Sequence, residues 1–284
     1  MIQSIIEFQF MRYALISGVL IGLIAPLIGV FLMVRRLSLI SDALAHVTLS
    51  GVAAGLYLQN SFPAWFTFSP LYVGLSFSIG ASFFVERLRR WFTHYQELAI
   101  PIVLSAGIGL GVVLISAADG FNVDVAGYLF GSILMINVNE MKGIILATGI
   151  VLAVVILFYK ELFALSFDEE NARIAGISER WINTLFMVAV AVVITASIRV
   201  VGILLVSGLI TLPVAAGLQV AQSFRQVMMW SVIFAQTSVL CGLTAAYYLE
   251  WASGGTIVLV GVLLLLLVIG SKKGLGILKR GSLQ

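Results

Sequence analysis

Long apolar blocks run through this chain and are separated by short polar segments. Because an α-helix rises about 1.5 Å per residue, about 20 residues cross a hydrocarbon core of about 30 Å. The pattern predicts an all-α, polytopic membrane protein forming a single transmembrane domain over residues 1–284, with eight or nine spanning helices. The second and seventh blocks leave that number open, since the second carries charged residues and the seventh has almost no loop before it. The blocks cover residues 13–34, 39–58, 64–85, 98–118, 143–160, 181–198, 200–220, 226–248 and 255–271.

Composition supports this assignment. Hydrophobic residues make up 61% of the 284 residues and charged residues only 10%, whereas soluble domains carry about 25% charged residues. So few charges cannot cover a water-facing surface, which excludes an ordinary soluble protein. The lipid bilayer is therefore the expected surrounding, and the small net charge of +3 does not indicate nucleic-acid binding.

The basic residues predict the direction of insertion, because lysine and arginine near helix ends resist translocation. With the N-terminus outside and nine crossings, only Arg12, Lys142 and Arg199 lie outside. The C-terminus is expected to be cytoplasmic, while residues 1–10 either stay outside or lie along the membrane surface. The basic residues placed inside are Arg35, Arg36, Arg87, Arg89, Arg90, Lys160, Arg173, Arg180, Arg225, Lys272, Lys273, Lys279 and Arg280.

Two prolines, Pro26 and Pro213, lie within predicted spans. A proline inside a helix removes a backbone hydrogen bond and kinks or breaks the helix. Broken helices often line transport paths, although structural kinks are common in membrane helices.

Asp42 and His46 are the ionisable pair in the second block. Their i, i+4 spacing places both on one helix face, about 5–6 Å apart at Cβ. In one interpretation Asp42 caps the helix and hydrogen-bonds a buried histidine. In the other the pair binds a metal ion, since carboxylate and imidazole suit zinc, manganese or ferrous iron and not copper(I).

Two ligands are too few for either ion, because zinc usually takes four and manganese about six. The one other histidine, His94, falls in a segment expected to be cytoplasmic. A two-fold copy of the second span would supply two more ligands. The metal hypothesis therefore predicts a homodimer with the ion path between its subunits.

Three further polar features stand out. Arg199 lies at the outer junction of two spans and is interpreted as structural, with its side chain reaching the interface. The outer acidic loop from Asp119 to Asp124, with Glu140 and Glu250, either attracts cations or a partner protein or is simply solvated. The inner segment of about 161–180 contains a predicted short helix, which serves as a connector or docks a cytoplasmic partner.

Five segments of the chain are distinctive when taken together and in this order. They are Arg35-Arg36-Leu-Ser-Leu-Ile-Ser-Asp42-Ala-Leu-Ala-His46, Tyr128-Leu-Phe-Gly131-Ser-Ile-Leu, Phe167-Asp168-Glu-Glu-Asn-Ala172-Arg-Ile-Ala-Gly176, Val201-Gly202-Ile-Leu-Leu-Val and Gly254-Gly-Thr-Ile-Val-Leu. Through these segments, and over most of its length, the chain resembles the membrane permease subunits of bacterial zinc, manganese and iron uptake ABC transporters.

The resemblance implies a permease homodimer in the bacterial cytoplasmic membrane, a pair of cytoplasmic ATP-binding subunits, and an extracytoplasmic metal-binding protein that delivers the ion. It implies that Asp42 and His46 coordinate the transported metal and that no cofactor is held permanently. It also implies a coupling helix that docks on the ATP-binding subunit, carried by Phe167, Asp168, Glu169, Ala172, Arg173 and Gly176.

Within that family the segment after His46 is more similar to zinc permeases, because Ser50 stands where manganese permeases more often have proline. The chain has no Gly-x-x-x-x-Gly-Lys-[Ser/Thr] motif, so it is not expected to hydrolyse ATP itself. One alternative function is a gradient-driven secondary transporter that uses Asp42 and His46 as a proton or ion relay. An intramembrane metalloprotease would need a denser ligand set such as His-Glu-x-x-His, which the sequence lacks.

Overall fold

The computed structural model describes residues 9–62, 69–92, 94–117, 123–131 and 136–281, with the side chains of 10, 123–125 and 273–281 excepted. These residues form twelve α-helices and no strand, which confirms the predicted all-α fold. The helices are α1 (Gln9–Val34), α2 (Ile40–Ser61), α3 (Pro70–Trp91), α4 (Ala99–Ala117), α5 (Val123–Phe130), α6 (Val138–Leu157), α7 (Tyr159–Phe167), α8 (Glu169–Ile174), α9 (Glu179–Val201), α10 (Val206–Val220), α11 (Phe224–Leu249) and α12 (Ser253–Gly281). Short 3₁₀ turns at Gln96–Leu98 and Ile203–Leu205 precede α4 and α10.

Eight of the described helical segments are long and apolar enough to cross a membrane, which confirms the predicted eight or nine spans. These eight correspond to α1, α3, α4, α6, α9, α10, α11 and α12. The bounds of α3 are shifted at both ends from the predicted 64–85. Pro70 occupies the first turn, where its missing N–H costs nothing, and the helix then continues through the arginines to Trp91. Hydropathy marks the edge of the membrane rather than the end of the helix.

Helix α2 corresponds to the second predicted block, and its polar residues keep it out of the hydropathy-based set. It nevertheless packs within the bundle. Gly51 lies against Gly74 of α3, and Gly55 lies against Pro70, so α2 and α3 run antiparallel. Gly107 of α4 lies against Val47, and Gly111 lies against Ser50, so α2 and α4 run parallel. Because α2 lies along two helices long enough to span, it extends through the same layer.

The connectivity gives the bundle two ends of different charge. We call the end where α1 stops and α2 starts the basic end. It holds the short helices α7 and α8, the start of α9 and the last turns of α3. The described lysine and arginine side chains collect there, apart from Arg12, Lys142 and Arg199 at the opposite end. The charge bias read from the sequence thus coincides with one physical end of the molecule.

The two helices with a proline in their interior remain continuous. Pro26 lies inside α1 and Pro213 lies inside α10, and each helix is assigned without interruption through its proline. Of the two predicted effects, a kink or a break, the break is therefore not observed at either position.

A close backbone contact joins three helices at the end opposite the basic end. Gly202, which links α9 to the turn before α10, adopts φ +85°, and Gly131 after α5 adopts φ +74°. A Cβ atom on Gly254, near the start of α12, would overlap the carbonyl oxygen of Val201 and approach that of Phe130 to 2.6 Å. The three helix ends can meet this closely only because side chains are absent.

We predict that Gly254→Ala lowers the stability of the folded protein, because the added methyl group must displace two backbone carbonyls. Overpacking of this kind typically costs about 1–3 kcal/mol. The measurement is the thermal unfolding midpoint of the purified protein in detergent.

The neighbouring Gly255→Ala is the matched control, because no heavy atom lies within 4 Å of its added methyl group. That variant is expected to be neutral or more stable by up to about 1 kcal/mol, since alanine favours the helix. Equal midpoints for both variants would contradict the contact.

Candidate functional site

Asp42 and His46 lie on α2, near the basic end. The helix starts at Ile40, and the residue before it, Leu39, makes no side-chain capping hydrogen bond. Asp42 belongs to the first turn, where a carboxylate interacts favourably with the helix dipole. The interpretation of Asp42 as the helix cap is therefore wrong.

The two side chains share a half-buried stripe of α2 that also includes Leu49. The opposite face, with Ile40, Leu44 and Gly51, is buried. Among the described residues, no hydrogen bond or ion pair engages the Asp42 carboxylate or the His46 imidazole. The hydrogen bond predicted between Asp42 and a buried His46 is therefore not observed, and both side chains remain available for a ligand.

The pair alone is an incomplete metal site. Within the described part of the chain, no group of three or more histidine, cysteine, aspartate or glutamate side chains is arranged to hold a metal ion. His94 is exposed in the turn that follows α3 and does not join the pair. One chain thus supplies two ligands of suitable chemistry and leaves the remaining coordination positions to other groups.

The segment of α2 that carries the pair is held firmly by its neighbours. The Ser50 hydroxyl donates a 2.6 Å hydrogen bond to the Gly107 carbonyl of α4. Gly51 and Gly74 let the backbones of α2 and α3 meet directly. This structural role of Ser50 is not evident from the sequence, because nothing in the pattern indicates which distant carbonyl its hydroxyl bonds.

The Arg199 side chain is mostly buried, whereas the sequence predicted a side chain that extends toward water. It forms a 2.7 Å ion pair with Glu140 of α6, and both side chains are mostly buried. Its guanidinium also donates to the Tyr128 hydroxyl at 2.7 Å and lies 4.0 Å from the centre of that ring. The structural role predicted for Arg199 stands, but the charge is satisfied inside the protein rather than in water.

The same contact corrects the view of Glu140 as a water-facing acid. Glu140 also completes a capping box with Asn137 at the start of α6. Glu250 is exposed at the end of α11, with φ +55°. Residues 118–122 and the side chain of Asp124 lie outside the described part of the chain, so the acidic-loop prediction rests on the sequence alone.

The predicted short helix at the basic end is present as α8. Asp168 caps it and accepts a 2.9 Å hydrogen bond from the Asn171 backbone N–H. That bond and the Asn171 side chain lower the pKa of the Asp168 carboxyl. Gly176 closes the segment with φ +84°, a conformation that favours glycine.

One residue of this segment is anchored and the others project outward. Ala172 is buried, while Glu169 and Arg173 are exposed. Phe167 is 61% exposed and Ile174, which the sequence analysis did not single out, is 80% exposed. Large exposed apolar side chains next to charged ones form a surface typical of a protein contact.

We predict that the buried Arg199–Glu140 pair is revealed by a double-mutant cycle. Arg199→Met or Glu140→Gln leaves one buried partner uncompensated, and such losses typically cost about 3–5 kcal/mol. Arg199→Met combined with Glu140→Gln should recover much of that stability, since both charges are then absent. Thermal unfolding of the purified variants measures the cycle, and additive losses would contradict the pairing.

Comparisons with known proteins agree with this arrangement. A protein of Treponema pallidum named "probable metal transport system membrane protein" is 36% identical, covering 93% of this chain and 96% of that protein. The manganese transport system membrane protein MntC of Listeria innocua is 30% identical, covering 93% and 91%. The high-affinity zinc uptake system membrane protein ZnuB of Haemophilus influenzae is 26% identical, covering 92% and 97%.

A solved structure has the same fold. PsaBC from Streptococcus pneumoniae, in complex with Fab, matches with a TM-score of 0.81 and 26% identity, covering 94% of this chain and 93% of that one. A family model described as the ABC 3 transport family matches residues 7–272. Since that match spans nearly the whole chain and the relatives share its full length, this membrane permease belongs to the ABC 3 transport family.

Proposed function

We propose that this protein is the permease subunit of a bacterial ABC importer that moves a divalent transition-metal ion into the cytoplasm. The observation that carries the proposal is the Asp42–His46 pair, half-buried in a membrane bundle with no partner among the described residues. A charged side chain in hydrocarbon costs about 2.5 to more than 10 kcal/mol. A passing cation bound by the carboxylate and the neutral imidazole offsets that cost.

The remaining ligands come from a second copy of the chain. Two chains related by a two-fold axis along the half-buried stripe of α2 would bring two aspartates and two histidines together. The flank of α4, the parallel neighbour of α2, supports this contact, because Ile108 is 42% exposed and Val112 is 59% exposed. An ion held by ligands from both subunits is bound at their boundary and is released when the subunits move.

Energy for transport comes from a separate pair of ATP-binding subunits. The chain has no phosphate-binding Gly-x-x-x-x-Gly-Lys-[Ser/Thr] motif. The docking surface for such a subunit is the exposed surface formed by α8, including Ile174, and by Phe167 at the end of α7. This assignment makes the basic end cytoplasmic, in agreement with the positive-inside rule. An extracytoplasmic metal-binding protein then delivers the ion at the opposite end.

The relatives are named for manganese transport and for zinc uptake, so the proposal is stated for the chemistry that the two ions share. Oxygen and nitrogen ligands suit both ions. Zinc, favoured by the segment after His46, stays a prediction. Uptake of each ion in competition with the other decides between them.

We predict that Asp42→Ala and His46→Ala each abolish ATP-driven uptake of zinc and manganese, because each removes two of the four ligands in the dimer. The measurement is ion accumulation by liposomes that contain the permease with its ATP-binding subunit. Recovery of the ATP-binding subunit with the purified permease should equal that of the wild type.

Thr48→Val is the matched control on the same helix. Thr48 is buried, and its hydroxyl donates to the Leu44 carbonyl within α2, so its loss leaves the stripe untouched. Normal uptake by both Ala variants would remove the site assignment. Uptake by the permease without any ATP-binding subunit would instead support the secondary-transporter alternative.

We also predict that uptake falls as the pH decreases, because protonation of the His46 imidazole removes a metal ligand. Imidazole binds metal only in its neutral form, so protons compete with the ion at low pH and the competition disappears as pH rises. The measurement is the ion concentration for half-maximal uptake, which should increase between pH 7.5 and pH 5.5. ATP hydrolysis without metal over the same range controls for loss of the partner subunit, and an unchanged half-maximal concentration would contradict the prediction.

A further inference from the structure

We infer that Arg35 is a positioning residue that transmits movement of α8 to the metal-binding helix α2. This inference rests on the proposed function. It concerns the connection between the surface that would dock an ATP-binding subunit and the pair that would hold the ion, two regions far apart in sequence.

Arg35 holds together elements from three parts of the chain. Its Nη1 donates to the Asn183 side-chain oxygen of α9 at 2.7 Å. Its Nε donates to the Ser166 hydroxyl at 3.0 Å, and its Nη2 donates to the Leu162 carbonyl at 3.3 Å, both on α7. The planar fork of guanidinium donors suits such a multiple contact, which the point charge of lysine cannot reproduce.

The guanidinium is charged and sheltered. Burial lowers the pKa of Arg35 to about 10, an effect that the nearby Glu169 carboxylate partly offsets. The group therefore stays protonated at neutral pH. Its carbon centre also lies 4.9 Å from the centre of the Phe186 ring, a cation–π contact that strengthens when water is excluded.

On its other side, Arg35 is joined to α2 by a short and rigid connection. The Arg36 N–H donates to the Met33 carbonyl, and the Leu37 N–H donates to the Leu32 carbonyl. With Arg36 at φ +57°, these bonds form a Schellman motif that closes α1. The Ile40 N–H then donates to the Leu37 carbonyl. Every step from Arg35 to the first turn of α2 is thus hydrogen-bonded.

The contacts of Arg35 lie directly beside the docking surface. Ser166 immediately precedes Phe167, and α8 starts three residues after Ser166. A cavity of about 250 Å³ beside Arg35 is lined by both Phe167 and Glu169. It leaves room for α8 to shift against the bundle. Such a shift pulls on Ser166 and Leu162, hence on Arg35, and through the rigid connection on the helix that carries Asp42.

A chain of aromatic rings runs parallel to this polar connection. Phe167 lies 4.8 Å from Phe163 and 5.8 Å from Phe224, measured between ring centres. Phe224 lies 5.3 Å from Phe31 of α1. Packed rings resist compression, so they transmit a push from α8 to α1. The Arg35 hydrogen bonds add the ability to pull.

The test measures ATP hydrolysis and ion uptake together, in liposomes containing the permease with its ATP-binding subunit. Arg35→Gln should keep ATP hydrolysis but raise the number of ATP molecules consumed per ion by at least about fivefold, the lower end of a typical coupling effect. Arg35→Lys should give an intermediate ratio. Asn183→Ala and Ser166→Ala, which each remove one acceptor, should raise the ratio by smaller amounts.

Arg87→Gln is the matched control, because Arg87 belongs to the same end but is exposed and lies 5.8 Å from the centre of the Trp91 ring on its own helix. Its ratio should equal the wild-type ratio. A wild-type ratio in the assembled Arg35→Gln complex overturns the inference. If that variant does not assemble, wild-type ratios in both Asn183→Ala and Ser166→Ala overturn it. A wild-type complex that moves neither zinc nor manganese contradicts the proposed function instead.

A second readout does not involve the ion. Leu39, just before α2, is 61% exposed, so Leu39→Cys in a Cys241→Ser background gives a single thiol at the start of that helix. Its labelling rate should change when ATP is added to the complex with native Arg35, and not with Arg35→Gln. No change in the presence of native Arg35, or the same change in both, overturns the inference.

Discussion

The main constraint on this structure is that polar groups away from water need hydrogen-bond or ion-pair partners. In a bilayer, backbone groups and charges must find their partners within the protein. The bundle meets this condition in most places. Arg199 is paired with Glu140, and buried threonine and serine hydroxyls such as those of Thr48 and Ser197 bond the preceding helical turn. Against that background the Asp42–His46 pair is unusual, because the described residues leave it without a partner. Under the proposed function, a transported cation is the partner that this pair lacks.

The two ends of the bundle differ in a way that suits this arrangement. At the end opposite the basic end, backbones meet at glycines and a buried ion pair ties α6 to α9, so that end is tightly joined. A cavity of about 670 Å³ nevertheless lies beside Arg199 at that same end, and one of about 250 Å³ lies beside Arg35 at the basic end. The basic end also carries the exposed short helix α8, and local stability follows the density of buried contacts. Under the proposed function, movement at the basic end is expected at α8 and the start of α2.

The sequence predicted the features that depend on local spacing. The i, i+4 relation of Asp42 and His46, the apolar blocks and the capped α8 could all be read within one stretch of chain. Features that depend on distant pairing could not. The acceptors of Arg35 on Leu162, Ser166 and Asn183 lie more than a hundred residues away, and Glu140 looked like a water-facing acid until Arg199 was placed beside it. Hydropathy also misplaced the bounds of α3, because a helix does not stop where the membrane does.

The near absence of a loop between α9 and α10 has a consequence for how the molecule can change shape. Gly202 and one 3₁₀ turn are all that separate the two helices, and the backbones of Gly131 and Gly254 clamp that corner. Because α9 and α10 are joined so tightly at one end, their other ends can move apart or together, but the two helices cannot slide along each other. Under the proposed function, a change between two forms is then expected to be a rotation of these two helices about the corner.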